Sequence, residues 1–271
     1  MDNLCNLSLI SVIIFTKTYR IKNMRVLAID TSSSVLGVAL LDEEGREVEF
    51  NYRFELRHAS HLVPTIRTVL AFAGLALGDL DAFCISIGPG SFTGLRIGVS
   101  TIKALALVHD KKVAAVPSLD AIARNIACVP GGGKICVLID AKKEKFYSCL
   151  YEYAGGALRR RSPYRLTGWR DLAKVMSGEK AVIVVGDGTE KITGSPTGLS
   201  RGHYTVAGKE YWLPRAMTVA RIGMEMIKRG DVVKDIDALV PLYLHPRDVQ
   251  CNKKAKGSAT KIGGSASSGK G

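Results

Sequence analysis

The sequence predicts an α/β protein built from two similar halves, and three observations carry that prediction. Strand-like and helix-like segments alternate along the chain, the pattern of folds in which helices cover a largely parallel sheet. A buried-looking strand ending in aspartate, Val26-Leu-Ala-Ile-Asp30, recurs as Cys136-Val-Leu-Ile-Asp140, and each copy is followed by a polar turn and a second strand, Val35 to Leu41 and Phe146 to Tyr151. Pro130 with three glycines then marks a junction between the halves.

The elements follow from local pattern. His58 to Ala73 places Leu62, Ile66, Val69, Leu70 and Ala73 at helical spacing, and Asp81 to Ile87 is an apolar strand running into glycine. A helix is expected from Leu95 to His109, then a short strand from Val113 to Val116 stopped by Pro117. Ser118 is placed as the N-cap of a helix through Ala127. In the second half, Ala181 to Val185 is a strand entering Gly186-Asp-Gly188, and Pro214 to Arg229 is a closing helix stopped by Gly230. The expected organisation is an extension over 1–23, a first half over 24–130, a second over 131–250 whose closing helix can return to the first, and a flexible basic tail over 251–271.

The 271 residues are 46% hydrophobic and 23% charged, which excludes a wholly disordered chain and supplies a sizeable core. The net charge of +13 is concentrated partly in the lysine-rich tail, so the body keeps only a mild basic bias, too weak to argue for nucleic acid by itself. The six cysteines show no CxxC spacing and sit in apolar runs, as small core residues of a reducing compartment. The apolar stretch Leu7 to Phe15 is broken by Ser8 and Ser11 and follows Asp2, so it fits neither a signal peptide nor a membrane span, and a cytoplasmic protein is expected.

Chemistry is sought first in Gly88-Pro-Gly90-Ser91-Phe92-Thr93-Gly94-Leu95-Arg96-Ile97-Gly98, between a strand and a helix. Glycines there permit a sharp turn and bring backbone N–H groups toward an anion at a helix N-terminus. The spacing is not a dinucleotide fingerprint, no GK[ST] makes it a P-loop, and Ser91 is not framed as GxSxG. An anion loop and a closely packed turn both remain open. The second candidate is Asp30-Thr31-Ser32-Ser33-Ser34, an aspartate at a strand end followed by four hydroxyls that suit either a phosphate or simply a turn.

Arg25 to Thr31, His58 with Leu62 and Pro64, Gly88 to Gly98, Asp140-Ala-Lys142 and Pro241-Leu-Tyr243-Leu together resemble the TsaB family of bacterial tRNA threonylcarbamoyladenosine biosynthesis proteins, over roughly residues 24–245. The resemblance implies a duplicated actin-like, sugar-kinase-like (ribonuclease-H-like) fold. It also implies a paralogue of the transferase subunit TsaD, which modifies the adenosine beside the anticodon of ANN-reading tRNAs. The catalytic paralogue carries a metal-binding HxxxH pair, and Ser118 and Ile122 stand in the corresponding places here, unable to replace two imidazoles. His58 and His61 lack a third ligand, His109, His203 and His245 are isolated, and there is no HExxH, so no metal site is expected.

The resemblance therefore implies a non-catalytic scaffold that binds TsaD directly through its first two helices and works in a complex with the ATPase TsaE, with tRNA as the substrate of the complex. Self-association of the free chain through the same helices is a further expectation. His58, Leu62, Ile66, Leu95, Arg96, Val99 and Ile102 are the expected interface residues, with thin positions at Gly94, Gly98, Ser100 and Ala104 favouring close helix packing. Asp30, Thr31, Ser32, Gly88, Gly90, Ser91, Thr93 and Gly94 are the expected nucleotide or phosphate loop, making at most weak ATP or ADP contact, with no cofactor of its own. Ser60 and the stretch Lys142 to Lys145 depart from the family's usual pattern, and 154–215 matches it loosely. The competing reading is an independent ATP-dependent phosphotransferase, with Asp30 to Ser33 and Gly88 to Gly94 cradling phosphates, Asp140 orienting magnesium and Gly186 to Gly188 serving the adenosine. Direct tRNA binding through the basic tail is a third.

Overall fold

A computed structural model of the chain describes residues 23–53, 58–127, 133–177, 181–192 and 204–244. The expected extension, the basic tail, His203, His245 and the Pro130 junction lie outside the described residues.

The first sheet is built from β1 (Arg25–Asp30), β2 (Val35–Asp42), β3 (Glu47–Arg53), β4 (Ala82–Gly88) and β5 (Lys112–Pro117), in the order β3-β2-β1-β4-β5. The first three strands run antiparallel to their neighbours, whereas β4 and β5 lie parallel to β1. Helices cover both faces, which is why β1, β2 and β4 read as nearly unbroken apolar runs instead of alternating ones. On one face lie α1 (His58–Ala73) and α2 (Phe92–His109), sealing Leu27, Ile29, Leu36, Val38, Phe83 and Ile85. On the other lies α5 (Ala216–Lys228), packed against Val26, Ala28, Ala39, Cys84 and Ala114. Its approach is close enough that a side chain at Gly223 would overlap the Cys84 sulfur.

The second sheet repeats this order. β6 (Gly133–Asp140), β7 (Lys145–Ala154) and β8 (Ala157–Arg160) form an antiparallel meander, and β10 (Val182–Val185) and β11 (Tyr204–Val206) extend it in parallel on the other side of β6. The short β9 (Arg165–Gly168) pairs with the first part of β7 and leads into α4 (Trp169–Ser177). The shared order makes the molecule a duplicated actin-like, ribonuclease-H-like α/β fold. Between β10 and β11 the described residues hold a 3-10 turn, Asp187–Lys191, where the first half has α2.

The halves meet through α3 (Ser118–Ala127). Leu119, Ile122, Ala123 and Ile126 join the core of the second sheet, and Ala121 joins the α5 side of the first. Asp120 accepts hydrogen bonds from the hydroxyls of Tyr151 (2.6 Å) and Tyr164 (2.8 Å), fastening α3 to the second half.

Element boundaries differ from expectation where caps decide them. α2 begins three residues before Leu95, because Ser91 accepts from the Gly94 N–H (3.3 Å) and so caps a turn that sequence periodicity does not reveal. The closing helix starts after Pro214, at Ala216. β3, β8, β9, β11 and α4 are too short or too polar to announce themselves by period.

Candidate functional site

Both halves turn the aspartate end of their first strand toward a cleft of about 680 Å³. One wall is Ser32 to Ser34 with Pro89 to Gly94; the other is Ile139 to Lys142 with Tyr147 and Asp187, and Trp212 to Pro214 close the side.

The glycine run is positioned by the hydroxyl turn. Thr31 donates its hydroxyl to the Gly94 carbonyl (2.8 Å), and the Ser91 N–H donates to the Ser32 carbonyl (2.7 Å). A Cβ on Gly90 would overlap the Ser32 carbonyl oxygen, one on Gly94 the Thr31 carbonyl oxygen, and one on Gly98 the Thr31 hydroxyl. These glycines mark where two segments of the chain touch, so the close-packing reading of the run accounts for them.

Asp30 is buried and receives the Ser32 hydroxyl on Oδ1 (2.7 Å). Behind it, Ser86 at the end of β4 and Ser118 at the start of α3 share a hydrogen bond of 2.8 Å. Burial pushes the Asp30 carboxyl up to about 6, opposed by the hydroxyls of Ser32 and Ser86. Its Oδ2 nonetheless has no hydrogen-bond partner of its own.

The second half repeats the scheme with a different charge balance. The Asp140 N–H donates to Asp187 Oδ1 (2.9 Å), and a side chain at Gly186 would overlap the Leu138 carbonyl oxygen, so the Gly186-Asp-Gly188 turn is pressed onto the end of β6. Asp140 Oδ1 accepts from Lys191 Nζ (2.7 Å) and the Lys142 N–H (2.8 Å), and Oδ2 accepts from Lys142 Nζ (3.0 Å). Burial would raise the Asp140 carboxyl, but the hydrogen bonds from Lys191 and Lys142 outweigh it and hold the group below the usual carboxylate range. Asp187 is shifted upward by burial, with the Asp140 charge adding to it and the Asp140 N–H opposing it.

Of the expected loop residues, Ser32, Gly90, Ser91, Thr93 and Gly94 line the cleft, while Asp30, Thr31 and Gly88 lie buried behind that wall. Of the expected interface residues, Leu62, Ile66, Leu95, Val99 and Ile102 are all buried within the chain. The reading of these five as contact surface is corrected: they are on the inward stripes of α1 and α2, and their apolar area is used within the fold. The outward stripes carry Val63 and Arg67 on α1, and Arg96, Ser100, Ala104 and Leu107 on α2. Arg96 lies over the Phe92 ring (4.1 Å) and reaches the Tyr243 hydroxyl (3.4 Å). His58 opens α1, but its side chain lies outside the described residues.

Sequence reasoning missed Lys191, the Ser86–Ser118 pair and the Trp212 wall. Only the proximity of Lys191 to Asp187 in the sequence hints that both meet the same carboxylate.

The fold class implies a magnesium nucleotide in such a cleft, and the residues present do not fit the ion. Asp140 has lysine ammonium groups on both oxygens, and Asp30 is buried out of the cleft with a raised pKa. Among the described residues no cluster of three or more His, Cys, Asp or Glu has metal-binding geometry. The cleft offers hydroxyls on one wall and the Lys142 ammonium on the other, a setting for contact with an anion, without a nucleophile and base in hydrogen-bonding reach. No helix among the described residues is long and apolar enough to cross a membrane.

Residues 54–183 match the family model described as TsaD, tRNA N6-adenosine threonylcarbamoyltransferase. The chain is similar to the tRNA threonylcarbamoyladenosine biosynthesis proteins TsaB of Bacillus subtilis, 31% identical with 82% of this chain and 94% of that protein covered, and of Escherichia coli, 27% identical with the same coverage. Its fold is similar to the solved structure of YeaZ from Pseudomonas aeruginosa, with a TM-score of 0.71 and 28% identity over 82% of this chain and all of that one. Since the 31% identity is sustained over almost the whole of the Bacillus subtilis relative, the chain belongs to the TsaB family of tRNA threonylcarbamoyladenosine biosynthesis proteins.

Proposed function

We propose that this chain acts in tRNA threonylcarbamoyladenosine biosynthesis as a non-catalytic subunit that binds TsaD and favours its active conformer. The observation that carries the reading is an actin-like cleft whose acidic group is neutralised from within. Asp140 is held by Lys142 and Lys191, while Ser118 and Ile122, which take the places of the paralogue's histidines, are buried in the chain's own interior. An intact fold with a cleft unsuited to transfer leaves binding as its work.

The outward stripes of α1 and α2 supply the surface. Ser100 and Ala104 keep α2 thin between Arg96 and Leu107, so another helix can approach closely, with Val63 and Leu107 as exposed apolar contacts. Binding one conformer of TsaD better than another shifts its population toward the active form. TsaE joins the same complex, tRNA is the substrate of the complex, the free chain self-associates through these helices, and any ATP or ADP contact at the Ser32–Ser91 wall is weak. The location that suits this work is the cytoplasm. The phosphotransferase reading requires a free acidic ligand at Asp140, which its lysine pairs disfavour.

Reconstitution tests the proposal. The modification is measured on unmodified tRNA with the cognate carbamoyl-adenylate synthase, TsaD and TsaE, with and without this chain and with Val63→Glu and Leu107→Glu variants. Product formation is expected to require the chain and to fall in the variants, whose circular dichroism stays unchanged. Equal product without the chain would overturn the proposal.

A further inference from the structure

β3 is the outermost strand of the first sheet, paired with β2 along its whole length and with no described strand on its other side. Edge strands are ordinarily blunted by proline, lysine, a bulge or brevity. β3 has seven residues, Glu47-Val-Glu-Phe-Asn-Tyr-Arg53, and none of these devices.

Its sequence complements itself. Laid antiparallel against a second copy about a twofold axis through Phe50, Glu47 faces Arg53 of the other copy, Val48 faces Tyr52, Glu49 faces Asn51, and Phe50 faces its own counterpart. Opposite charges meet at both ends, and the apolar residues meet on one face. Moving the axis to Glu49 sets two carboxylates against each other; moving it to Asn51 leaves Glu47 and Val48 unpaired. One register therefore satisfies the entire strand.

The surroundings favour the same contact. Phe50 packs against Phe72 of α1 (5.2 Å between ring centroids) and Tyr52 (6.4 Å), yet Phe72 is 73% exposed and Tyr52 38%. This aromatic group overhangs the edge and gains cover only from something placed beside β3. On the opposite face Arg215 and Arg221 of α5 hold Glu49 and Glu47 at 2.8 Å, keeping that side of the strand in order.

We infer that β3 is a pairing edge between two copies of this chain, joining their five-stranded sheets into one continuous sheet with Phe50 on the twofold axis. The contact is isologous, so it closes at the dimer. It lies away from the outward stripes of α2 and stands independently of TsaD binding.

Sedimentation velocity of the full chain over a concentration series tests this. The wild type is expected to dimerise, Arg53→Glu to weaken the dimer about tenfold or more by opposing carboxylates at both ends, and Glu47→Arg with Arg53→Glu to restore it. The milder Arg53→Gln is expected to fall between, and circular dichroism confirms that each variant folds. A chain monomeric throughout overturns the inference, as does a dimer insensitive to Arg53→Glu but broken by Leu107→Glu. Failure of the charge-reversed pair to recover overturns the register.

Discussion

Thr31 and Gly94 are joined by a 2.8 Å hydrogen bond from hydroxyl to carbonyl, across 63 residues of sequence, at a point where the glycine has no room for a side chain. The contact fixes the start of α2 against the end of β1 and thereby sets both the cleft wall and the outward stripe of α2. Gly94→Ala places a methyl group on the Thr31 carbonyl oxygen, which is backbone and cannot swing aside. A loss of about 3 kcal/mol or more is expected in urea unfolding. Gly78, whose Cβ position is open and whose φ is ordinary, is the control: Gly78→Ala is expected to change stability by no more than about 0.5 kcal/mol. Equal losses at the two positions would show that the close approach at Gly94 carries no energetic weight.

Asp30 predicts an unusual pH dependence. Its folded pKa of about 6 lies above the ordinary 3.8, so between these values the folded state binds more protons than the unfolded state. Its contribution to stability is therefore best below about pH 4, declines as pH rises through 6, and is constant above that. The full cost is roughly 3 kcal/mol. Asp30→Asn keeps the shape and removes the charge, so it is expected to be more stable than the wild type at pH 8 and nearly equal to it at pH 4. Urea midpoints at the two pH values measure this, and an Asn variant less stable at pH 8 would show that the charged form is favoured by contacts other than the Ser32 bond.

The duplication was legible in the sequence because Val26 to Asp30 and Cys136 to Asp140 are strands buried on both faces, where composition is nearly free of surface requirements. The course of β3 and β8 was not, because edge strands alternate weakly and carry charges. At the site, Asp30, Ser32, Ser91 and Asp140 could be found from strand ends and turn chemistry. Lys191 could not, since its partner is 51 residues away and nothing in its neighbourhood distinguishes it from a solvated lysine. The inward orientation of Leu62 and Ile102 was also hidden. Apolar residues at helical spacing identify a stripe but not whether a sheet of the same chain or another protein covers it.

The two lysines on Asp140 predict how that carboxylate titrates. Its folded pKa is lowered, so it stabilises the fold at pH values above the ordinary carboxylate value, and that stabilisation disappears as pH falls through the lowered folded value. Lys191→Ala removes the shorter ammonium contact and is expected to move the Asp140 pKa upward in a carbon-detected NMR titration. Lys142→Ala with Lys191→Ala is expected to move it further. With both oxygens released, the double variant should also gain a magnesium-dependent rise in melting temperature that the wild type lacks. A wild-type melting temperature that already rises with magnesium would mean that the lysines yield to the ion, and would restore the phosphotransferase reading to consideration.

Asp120 predicts how strongly the two halves are coupled. Its carboxylate takes the hydroxyls of Tyr151, which is almost wholly buried, and of Tyr164, and burial together with the Asp120 charge pushes both phenols above the usual tyrosine range. Asp120→Ala strands the Tyr151 hydroxyl, a buried donor without acceptor, and is expected to cost about 2–3 kcal/mol in urea unfolding. In a Tyr151→Phe background the same substitution should cost clearly less, since one stranded hydroxyl has gone, and the double-mutant cycle gives the coupling directly. Because α3 is the element packed into both halves, its loosening should also separate the unfolding transitions reported by Trp212 fluorescence and by far-ultraviolet circular dichroism. Coincident transitions with an additive cycle would show that the apolar stripe of α3, from Leu119 to Ile126, joins the halves without help from the carboxylate.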